Sequence, residues 1–470
     1  MSKIITQSGR QINPEIKRVE VTEETLSSRG GLTLFVKYLG AVRVLELLGG
    51  HFCGIRRNGK GTEVGELFKQ VLCFFFDGTV FHLNRFDSLA ADAGYAGVVE
   101  TEQKALISSH TAKRFFKSFP LLSSSLFRPI LRRLFIWRLR IESPRVIELT
   151  IDTEVFDNDD ANKREGVQPT YKKVKGFQPL HVIWNGRIVD ALFRGGKKNG
   201  NYGNVVPSTI KDLTTLIRKD YSAEVPIIVR LDAGFFDQKI FTACDKLGIG
   251  FICTGKMYEA VKEQIAKMPE SAWKTYENER QIWQYAEWQY GADSWKKSYR
   301  AFYTRPVYEE NGQSIIAFAR PDNVIVTNIG LEAKVLEHCT GSEKRMLQSA
   351  RSIIRSHHQR GADELPHRGL KDFGTEQFPF KRFAPNAAYY YCMVIAFFLF
   401  ECFKRDVVAD VLPELATCYA TTLRRAVVDF AAKLVRKAGQ IVLKISRATM
   451  EALHFQKLWT RAQLAPAYPI

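Results

Sequence analysis

The stretch Arg145-Val-Ile-Glu-Leu-Thr-Ile-Asp152 is rich in β-branched and apolar residues and ends in an acid. A second stretch, Val225-Pro-Ile-Ile-Val-Arg-Leu-Asp232, has the same form, and Gly248–Cys253 is a third short apolar run. Helical patterns at Ile210–Arg218 and Gln238–Lys246 lie between these runs. Strands that alternate with helices along a chain predict an α/β core.

Patterns on either side of this core predict further elements. The runs His181–Trp184 and Arg187–Phe193 flank Asn185-Gly186, a pair that suits the type I′ turn of a β-hairpin. Residues 1–120 carry apolar positions at helical spacing and predict a small all-helical unit. The apolar run Ala387–Phe400 is shorter than the ~18 residues that span a bilayer, so we expect a buried core helix there.

Residues 256–330 differ in composition from the segments around them. Four of the seven tryptophans fall within this range. Short strand patterns accompany them at Tyr299–Tyr303, Ser314–Ala319 and Val324–Asn328. We expect a β-rich insertion here rather than more strands of the same sheet, with the α/β pattern resuming at a helix around Glu343–His358.

Charge and cysteine usage limit the classes of protein that fit. The chain has 470 residues and a net charge of +18, which favours a polyanionic partner, nucleic acid before an acidic membrane surface. A basic surface without a specific partner is the alternative. The eight cysteines form no Cys-x-x-Cys pair and no zinc-like cluster, which is typical of a cytosolic protein with reduced thiols. The polar stretch Met1–Arg18 indicates no signal peptide.

The segment 104–140 is the most strongly basic part of the chain. It contains nine Lys or Arg residues and no acidic residue, with Phe and Trp between them. This composition favours a stripe that faces the phosphates of nucleic acid. An ordinary solvated helix face is the alternative.

Asp152 and Asp232 each end a predicted strand, and ligands of α/β proteins gather where strands end. A carboxylate placed there needs a cation. Carboxylates without a His/Cys cluster suit the hard cations Mg²⁺ or Mn²⁺. The alternative is that either Asp caps the helix or turn that follows it.

A third acid would complete a pair of metal sites, and Glu364 is the candidate because of its neighbours. His357, Arg360, Glu364 and Lys371 are spaced so that a helix would place them on one face. The cations of this face could hold phosphates beside a metal-binding carboxylate. An ordinary charged helix surface is the alternative.

The segment Arg360-x3-Glu364-x6-Lys371 resembles the Y-x2-R-x3-E-x6-K signature of bacterial insertion-sequence DDE transposases, with His357 at the Tyr position. Two other segments resemble the surroundings of that family's first two acids, namely Ile151-Asp152-Thr153 and Leu231-Asp232-Ala-Gly-Phe-Phe. Further similarity, to the insertion sequence 1380 type, covers nearly the whole chain and includes Val21–Gly31, Thr327-Asn328, Phe383-Ala-Pro-Asn386 and Lys433–Gly439.

The resemblance implies an RNase H-like catalytic core that is interrupted by a β-rich insertion and preceded by an all-helical DNA-binding domain. The expected divisions are a helical, basic DNA-binding domain (1–140), the first part of the core (141–255), the insertion (256–335), the second part of the core (336–405) and a basic C-terminal region (406–470). The separation of 132 positions between Asp232 and Glu364 agrees with an insertion, since one αβ connection needs far fewer residues.

The resemblance also implies cut-and-paste transposition, in which DNA is cleaved at transposon ends and the freed strand is transferred into target DNA. Asp152 would bridge two Mg²⁺ (or Mn²⁺) ions, and Asp232 and Glu364 would each complete one site. Arg360 and Lys371, with help from His357, would hold phosphates. The implied partners are double-stranded DNA, as terminal inverted repeats and as target, and a second copy of the chain in a synaptic complex.

The implied setting is the bacterial cytoplasm, without a membrane. Two alternatives stay open, an inactive or domesticated transposase that acts as a DNA-binding regulator and a related RNase H-like nuclease.

Two positions also depart from the signature. His357 replaces a phenol with a pH-sensitive imidazole. Pro366 would break a continuous helix, and it is tolerated if a new helical turn starts near Asp363.

Three further features have both a functional and a structural interpretation. Related enzymes stack a flipped base on a tryptophan, for which the candidates are Trp283, Trp288 and Trp295, although core packing is the favoured interpretation of each. The loop Arg194–Gly200 suits either a phosphate contact or an exposed hairpin end. The acids Asp157, Asp159 and Asp160 lack the spacing of a calcium loop and are interpreted as a solvated turn.

Overall fold

The computed structural model describes residues 15–55, 61–121, 123–161, 163–198, 200–278, 281–307, 323–330 and 333–469. The strands of this part of the chain are β1 (Thr25–Ser27), β2 (Ile147–Thr153), β3 (Phe156–Asp157), β4 (Gln168–Pro169), β5 (Lys175–Phe177), β6 (Leu180–Trp184), β7 (Arg187–Leu192), β8 (Ile227–Leu231), β9 (Gly250–Thr254), β10 (Lys274–Asn278), β11 (Gln281–Tyr290), β12 (Tyr299–Pro306), β13 (Asn323–Thr327), β14 (Ala432–Lys437) and β15 (Gln440–Ile445). The helices are α1 (Leu32–Ala41), α2 (Val44–His51), α3 (Val64–Asp77), α4 (Arg85–Ala91), α5 (Ala93–Val98), α6 (Ser109–Lys117), α7 (Ser123–Glu142), α8 (Val205–Asp220), α9 (Gln238–Leu247), α10 (Glu259–Ala266), α11 (Gly341–Leu347), α12 (Ala350–Gln359), α13 (Leu365–Phe373), α14 (Phe383–Phe403), α15 (Ala420–Leu423), α16 (Arg447–Ala452) and α17 (Phe455–Gln463).

A nine-stranded mixed sheet forms the centre of the protein, in the order β10-β11-β12-β13-β9-β8-β2-β6-β7. β2, β8 and β9 run parallel to one another, whereas β6 is antiparallel to both of its neighbours, β2 and β7. The three parallel strands are mostly apolar and buried because helices cover both faces of the sheet. The predicted α/β class is therefore confirmed.

Local sequence signals explain the connections around this sheet. Asn185 and Gly186 both have positive φ (47° and 78°), as the type I′ turn between β6 and β7 requires, so the predicted hairpin is confirmed. The Asp237 side chain accepts a hydrogen bond from the Lys239 N–H and caps α9. Gly248, with a φ of 63°, ends that helix before β9 begins.

The strands of the tryptophan-rich segment extend the central sheet, so the expectation that they lie outside it is wrong. β13 pairs antiparallel with β9, with Val326 opposite Cys253, and β12, β11 and β10 follow outward. This pairing satisfies the backbone groups that β9 would otherwise expose as an edge strand. The strand predicted at Ser314–Ala319 lies outside the described residues.

The N-terminal helices pack around the long apolar helix α14. The side chains of α14 are buried almost throughout, which confirms the core helix predicted at 387–400. By length and composition alone Phe383–Val408 could cross a membrane, but 89% of its apolar window is buried inside the protein. β1 pairs with β14, with Leu26 opposite Lys433. The expectation of an all-helical N-terminal region is therefore wrong at this strand.

Several arginines of the basic segment 104–140 face the protein interior. Arg128 and Arg132 both donate to the carboxylate of Asp190, which is fully buried in β7. Arg138 is buried and binds Asp406, which follows α14. The prediction of a phosphate-facing stripe is therefore wrong for these three arginines. Each of them is paired with a carboxylate from a distant segment of the chain.

Arg424 joins the ends of two helices, and we expect its replacement to destabilise the protein. Its buried guanidinium donates to the carbonyls of Phe75 and Phe76 at the end of α3 and of Phe373 at the end of α13, at 2.7, 2.8 and 2.6 Å. Arg424→Met would leave these carbonyls unpaired and should lower the free energy of unfolding by about 3 kcal/mol. Urea denaturation measures this change, with exposed Arg425→Met as the control. A loss below about 1 kcal/mol would contradict the prediction.

Candidate active site

Asp152 and Asp232 lie side by side at one edge of the central sheet. β2 and β8 are parallel neighbours with Ile151 opposite Leu231, so the next residue of each chain segment is an aspartate. Residues in register project from the same face of a sheet. On that face Arg230 donates to Thr150 at 3.0 Å, and α12 covers both. The structure therefore brings the two predicted acids together under the end of α12.

The electrostatics of the pair indicate two carboxylates that repel each other. Burial, followed by the negative charge of Asp232, raises the pKa of Asp152 to about 7. A hydrogen bond of 2.6 Å from the Thr153 N–H to the Asp152 carboxylate opposes this rise. Asp232 accepts a hydrogen bond of 2.8 Å from the Gly234 N–H, so it also caps the turn that follows β8. The functional and the capping interpretations of Asp232 are thus compatible.

His357 and Arg360 lie at the end of α12, but only one of them faces the acids. His357 is buried, and its Nε2 lies 2.9 Å from the hydroxyl of Thr254 in β9. Arg360 is partly exposed, and its positive charge lowers the pKa of Asp152. Within the described ranges Arg360 forms no ion pair. Arg360 is therefore the cation that the structure leaves available beside the acid pair.

Lys371 is bound to a carboxylate that the sequence prediction missed, Glu154. The Lys371 Nζ lies 2.7 Å from Glu154 Oε1 and 2.9 Å from a carboxylate oxygen of Glu376. Lys172 reaches the same Oε1 at 3.2 Å, and the Nδ1 of His367 lies 3.5 Å from Oε2. Burial alone would raise the pKa of Glu154, but Lys371 and its other cationic neighbours hold this pKa below its usual value. The only sequence signal for Glu154 is its position two residues after Asp152, on the same face of the chain.

Glu364, the third predicted acid, does not lie beside Asp152 and Asp232 in the structure. Its side chain is exposed, and its carboxylate lies 3.8 Å from the guanidinium of Arg368. Residues 360–364 form a 3₁₀ turn between α12 and α13, and Pro366 stands in the first turn of α13. Proline cannot donate to a continuous α-helix, so the helix restarts at this point. Over the four residues after Arg360, a 3₁₀ turn rotates Glu364 about 80° further than an α-helix would.

The acid pair suits a divalent cation, although the third ligand is not in place. Two partly buried carboxylates, one with its pKa raised to about 7, form no ion pair within the described ranges, and a hard cation would supply a close counter-charge. Among the residues that the structure describes, no group of three or more His, Cys, Asp or Glu side chains could hold a metal ion. Asp152 and Asp232 thus fit the first two ligands of the predicted site, and Glu364 would have to move to join them.

The remaining predicted features have structural roles in this chain. Trp283 is buried and lies 4.5 Å from the ring of His358, and Trp295 packs among aromatic rings. Trp288 is partly buried against the core. Arg194, at the start of the candidate phosphate loop, is buried and donates to the Gln178 carbonyl. Core packing accounts for these side chains, as favoured for the tryptophans.

Comparison with protein-family models gives a match over nearly the whole chain. A family model described as "Transposase DDE domain group 1" matches residues 11–467. No curated protein matches the chain. Among solved structures, a cryo-EM structure of the piggyBac transposase synaptic complex with hairpin DNA is similar at 11% identity and a TM-score of 0.38, over 83% of this chain and 79% of that one.

Proposed function

The chain belongs to the transposase DDE domain group 1 family, and from that premise we propose that it cleaves DNA at transposon ends and transfers the freed strand into target DNA. The observation that carries this proposal is the meeting of Asp152 and Asp232 at the ends of two parallel strands. From the sequence resemblance we further propose that the chain is of the insertion sequence 1380 type. The strand order β7-β6-β2-β8-β9, with β6 alone antiparallel to both neighbours, supports an RNase H-like core.

Each proposed site residue has a distinct task. Asp152 and Asp232 would hold two Mg²⁺ (or Mn²⁺) ions, with Glu364 as the third carboxylate. Such ions activate the attacking oxygen and stabilise the leaving oxygen of a phosphodiester. Arg360 would bind a non-bridging oxygen of the scissile phosphate, because its charge reaches Asp152 and it forms no ion pair among the described residues. Lys371 would hold a neighbouring phosphate, and the buried His357 would position α12 rather than touch DNA.

The proposed partner is double-stranded DNA, and a basic groove offers a surface for it. The groove has a volume of about 900 Å³ and is lined by Lys113, Lys117, Lys381 and Arg382, among others. Lys117, Lys381 and Arg382 are exposed and form no ion pair within the described part of the chain. Glu165, which is the acid among the described residues that line the groove, accepts a hydrogen bond from the first backbone N–H of α14. The groove therefore presents a surplus of free positive charge, which suits phosphates.

Neutralising this groove should weaken DNA binding in a salt-dependent way. We expect the double variant Lys117→Gln/Lys381→Gln to lower the slope of log affinity against log salt by about 2, because each phosphate contact contributes about 0.9. Fluorescence anisotropy of a labelled duplex at several salt concentrations measures the slope. The control is Lys211→Gln/Lys219→Gln, two exposed residues of α8 on the opposite face of the sheet. Equal slopes for the two double variants would contradict the groove assignment.

The proposed activity is tested with Mg²⁺ and the DNA that flanks the chain's own coding region. Cleavage at the ends followed by joining to a target supports the transposase, and cleavage without joining supports an RNase H-like nuclease. The exposed position of Glu364 favours a second candidate, a DNA-binding regulator without cleavage activity. Specific end binding without any cleavage would support that candidate and overturn the first.

Two further parts of the proposal concern the setting of the reaction. Pairing of two transposon ends requires two equivalent sites, so we propose a homodimer in the synaptic complex. The protein would work in the bacterial cytoplasm, where its DNA substrate lies, without a membrane. Size-exclusion chromatography with light scattering, with and without end DNA, tests the dimer.

A further inference from the structure

The β4–β5 tip, defined as residues 170–174, is a short turn fixed beside the strand of the first acid. β4 and β5 form a small sheet with β3, which begins three residues after β2 ends. The Val174 carbonyl accepts hydrogen bonds from both the N–H and the hydroxyl of Thr170, at 2.9 and 2.8 Å. Gly176 lies so close to β3 that an added Cβ would stand 2.0 Å from a backbone carbonyl oxygen. The tip is therefore held firmly against the chain that follows Asp152.

A shared ion pair brings this tip to the candidate site. Lys172 and Lys371 bind the same oxygen of Glu154, at 3.2 and 2.7 Å. Tyr171, the neighbour of Lys172, has 59% of its surface exposed. Among the described residues its hydroxyl has no hydrogen-bond partner. The tip thus presents a free phenol next to the ion pair that holds Lys371.

Tyr171 lies near enough to the acids for their charges to act on its hydroxyl, which keeps its proton. Partial burial, followed by the negative charges of Glu154, Asp152 and Asp232, raises the pKa of Tyr171 to about 12. At neutral pH the phenol is therefore a hydrogen-bond donor without a charge of its own. Such a donor suits an anionic group that approaches the carboxylates.

Several donors near the two acids already have partners in the described part of the chain. Lys172 and Lys371 are already bound to carboxylates, and His357 is buried against Thr254. The side chains of Arg360, on the side of α12, and of Tyr171, on the side of β2, have no such partner among the described residues. Tyrosine hydroxyls are among the groups that bind phosphate oxygens in protein–DNA complexes.

We propose that Tyr171 is a further substrate-binding residue, whose hydroxyl donates a hydrogen bond to a phosphate oxygen of the DNA strand held at Asp152 and Asp232. The proposal rests on the proposed function, because it takes the substrate to be DNA. It gives the chain a phenol-to-phosphate contact from the β4–β5 tip, on the opposite side of the acids from α12.

The test compares Tyr171→Phe with the wild-type chain on end DNA in Ca²⁺, so that affinity is read without any need for cleavage. Each phosphate near the end is replaced in turn by an uncharged methylphosphonate. We expect Tyr171→Phe to weaken binding about tenfold, and one methylphosphonate to weaken the wild type but not the variant. Tyr419→Phe, an exposed tyrosine that lines a pocket at the opposite end of β2, is the matched control.

Two results would overturn this inference while leaving the proposed function intact. One is that Tyr171→Phe binds end DNA with wild-type affinity. The other is that, at every position, the methylphosphonate weakens binding by the variant as much as binding by the wild type. Failure of the wild-type chain to cleave DNA in Mg²⁺ would instead count against the proposed function. Thermal unfolding of Tyr171→Phe should match that of the wild type, because the hydroxyl forms no bond within the described protein.

Discussion

Replacement of Asp152 or Asp232 by asparagine is expected to reduce DNA strand cleavage at least about a thousandfold, because each loses stabilisation of several kcal/mol that the metal ions supply to the reacting oxygens. Asparagine keeps the shape of the side chain but removes the charge that would hold a cation. DNA affinity should change little, since phosphates bind the basic surface and not the acids. Single-turnover cleavage measures the rate, and calorimetric titration with Mn²⁺ measures the metal affinity.

Asp152→Asn should raise the stability of the metal-free protein although it lowers the cleavage rate. This combination distinguishes the loss of a charge from damage to the fold. Burial and Asp232 raise the pKa of Asp152 to about 7, so the ionised form destabilises the metal-free protein. That destabilisation appears as the pH rises from the ordinary range of an aspartate through about 7. Asp152→Asn should therefore unfold at a higher temperature than the wild type at pH 8, with no difference near pH 4.

Asp237→Asn is the matched control for these variants. It lies close to Asp232 in sequence, and asparagine caps a helix as well as aspartate does. Its cleavage rate should stay within about twofold of the wild type, as expected for a cap that is retained. Cleavage above one per cent of the wild-type rate by either Asp152→Asn or Asp232→Asn would remove the acid pair from the reaction.

The central elements could be predicted because their signals are local. The apolar runs of β2 and β8, the Asn185-Gly186 turn and the apolar helix α14 are each specified by a few neighbouring residues. The pairing of β1 with β14 joins segments about 400 residues apart, and no local pattern indicates it. The pairing of buried Asp190 with Arg128 could not be predicted either, because the segment around the arginine contains no acid.

The candidate site shows the same division between local and distant information. Asp152 and Asp232 could be placed together because parallel neighbouring strands end at one edge of a sheet. Glu154 was missed because its importance depends on Lys172 and Lys371, which approach from separate segments. The helical spacing of Arg360 and Glu364 assumes α-helical geometry, and the 3₁₀ turn before Pro366 changes the direction of Glu364.

Glu364→Gln is expected to reduce cleavage at least about a hundredfold, because the proposed reaction needs a third carboxylate at the metal ions. In the described structure that carboxylate points to solvent near Arg368. Winding residues 360–364 as an α-helix would turn it by about 80° toward the face that carries Arg360. We therefore expect DNA and metal binding to convert this turn.

Glu154→Gln is the comparison that decides whether Glu364 or Glu154 is the third carboxylate. The charge of Glu154, like that of Asp232, raises the pKa of Asp152. Glu154 is already bound to Lys371 and Lys172, so its loss should loosen these lysines and raise the KM for DNA without removing a metal ligand. Pro366→Ala, which restores a backbone donor, should favour the α-helical turn and increase the Mn²⁺ affinity of the metal-free chain. If Glu364→Gln cleaved normally while Glu154→Gln were inactive and lost Mn²⁺ binding, Glu154 would be the third ligand. The 3₁₀ turn would then be the permanent geometry of this chain, since no movement of Glu364 would be needed to complete the site.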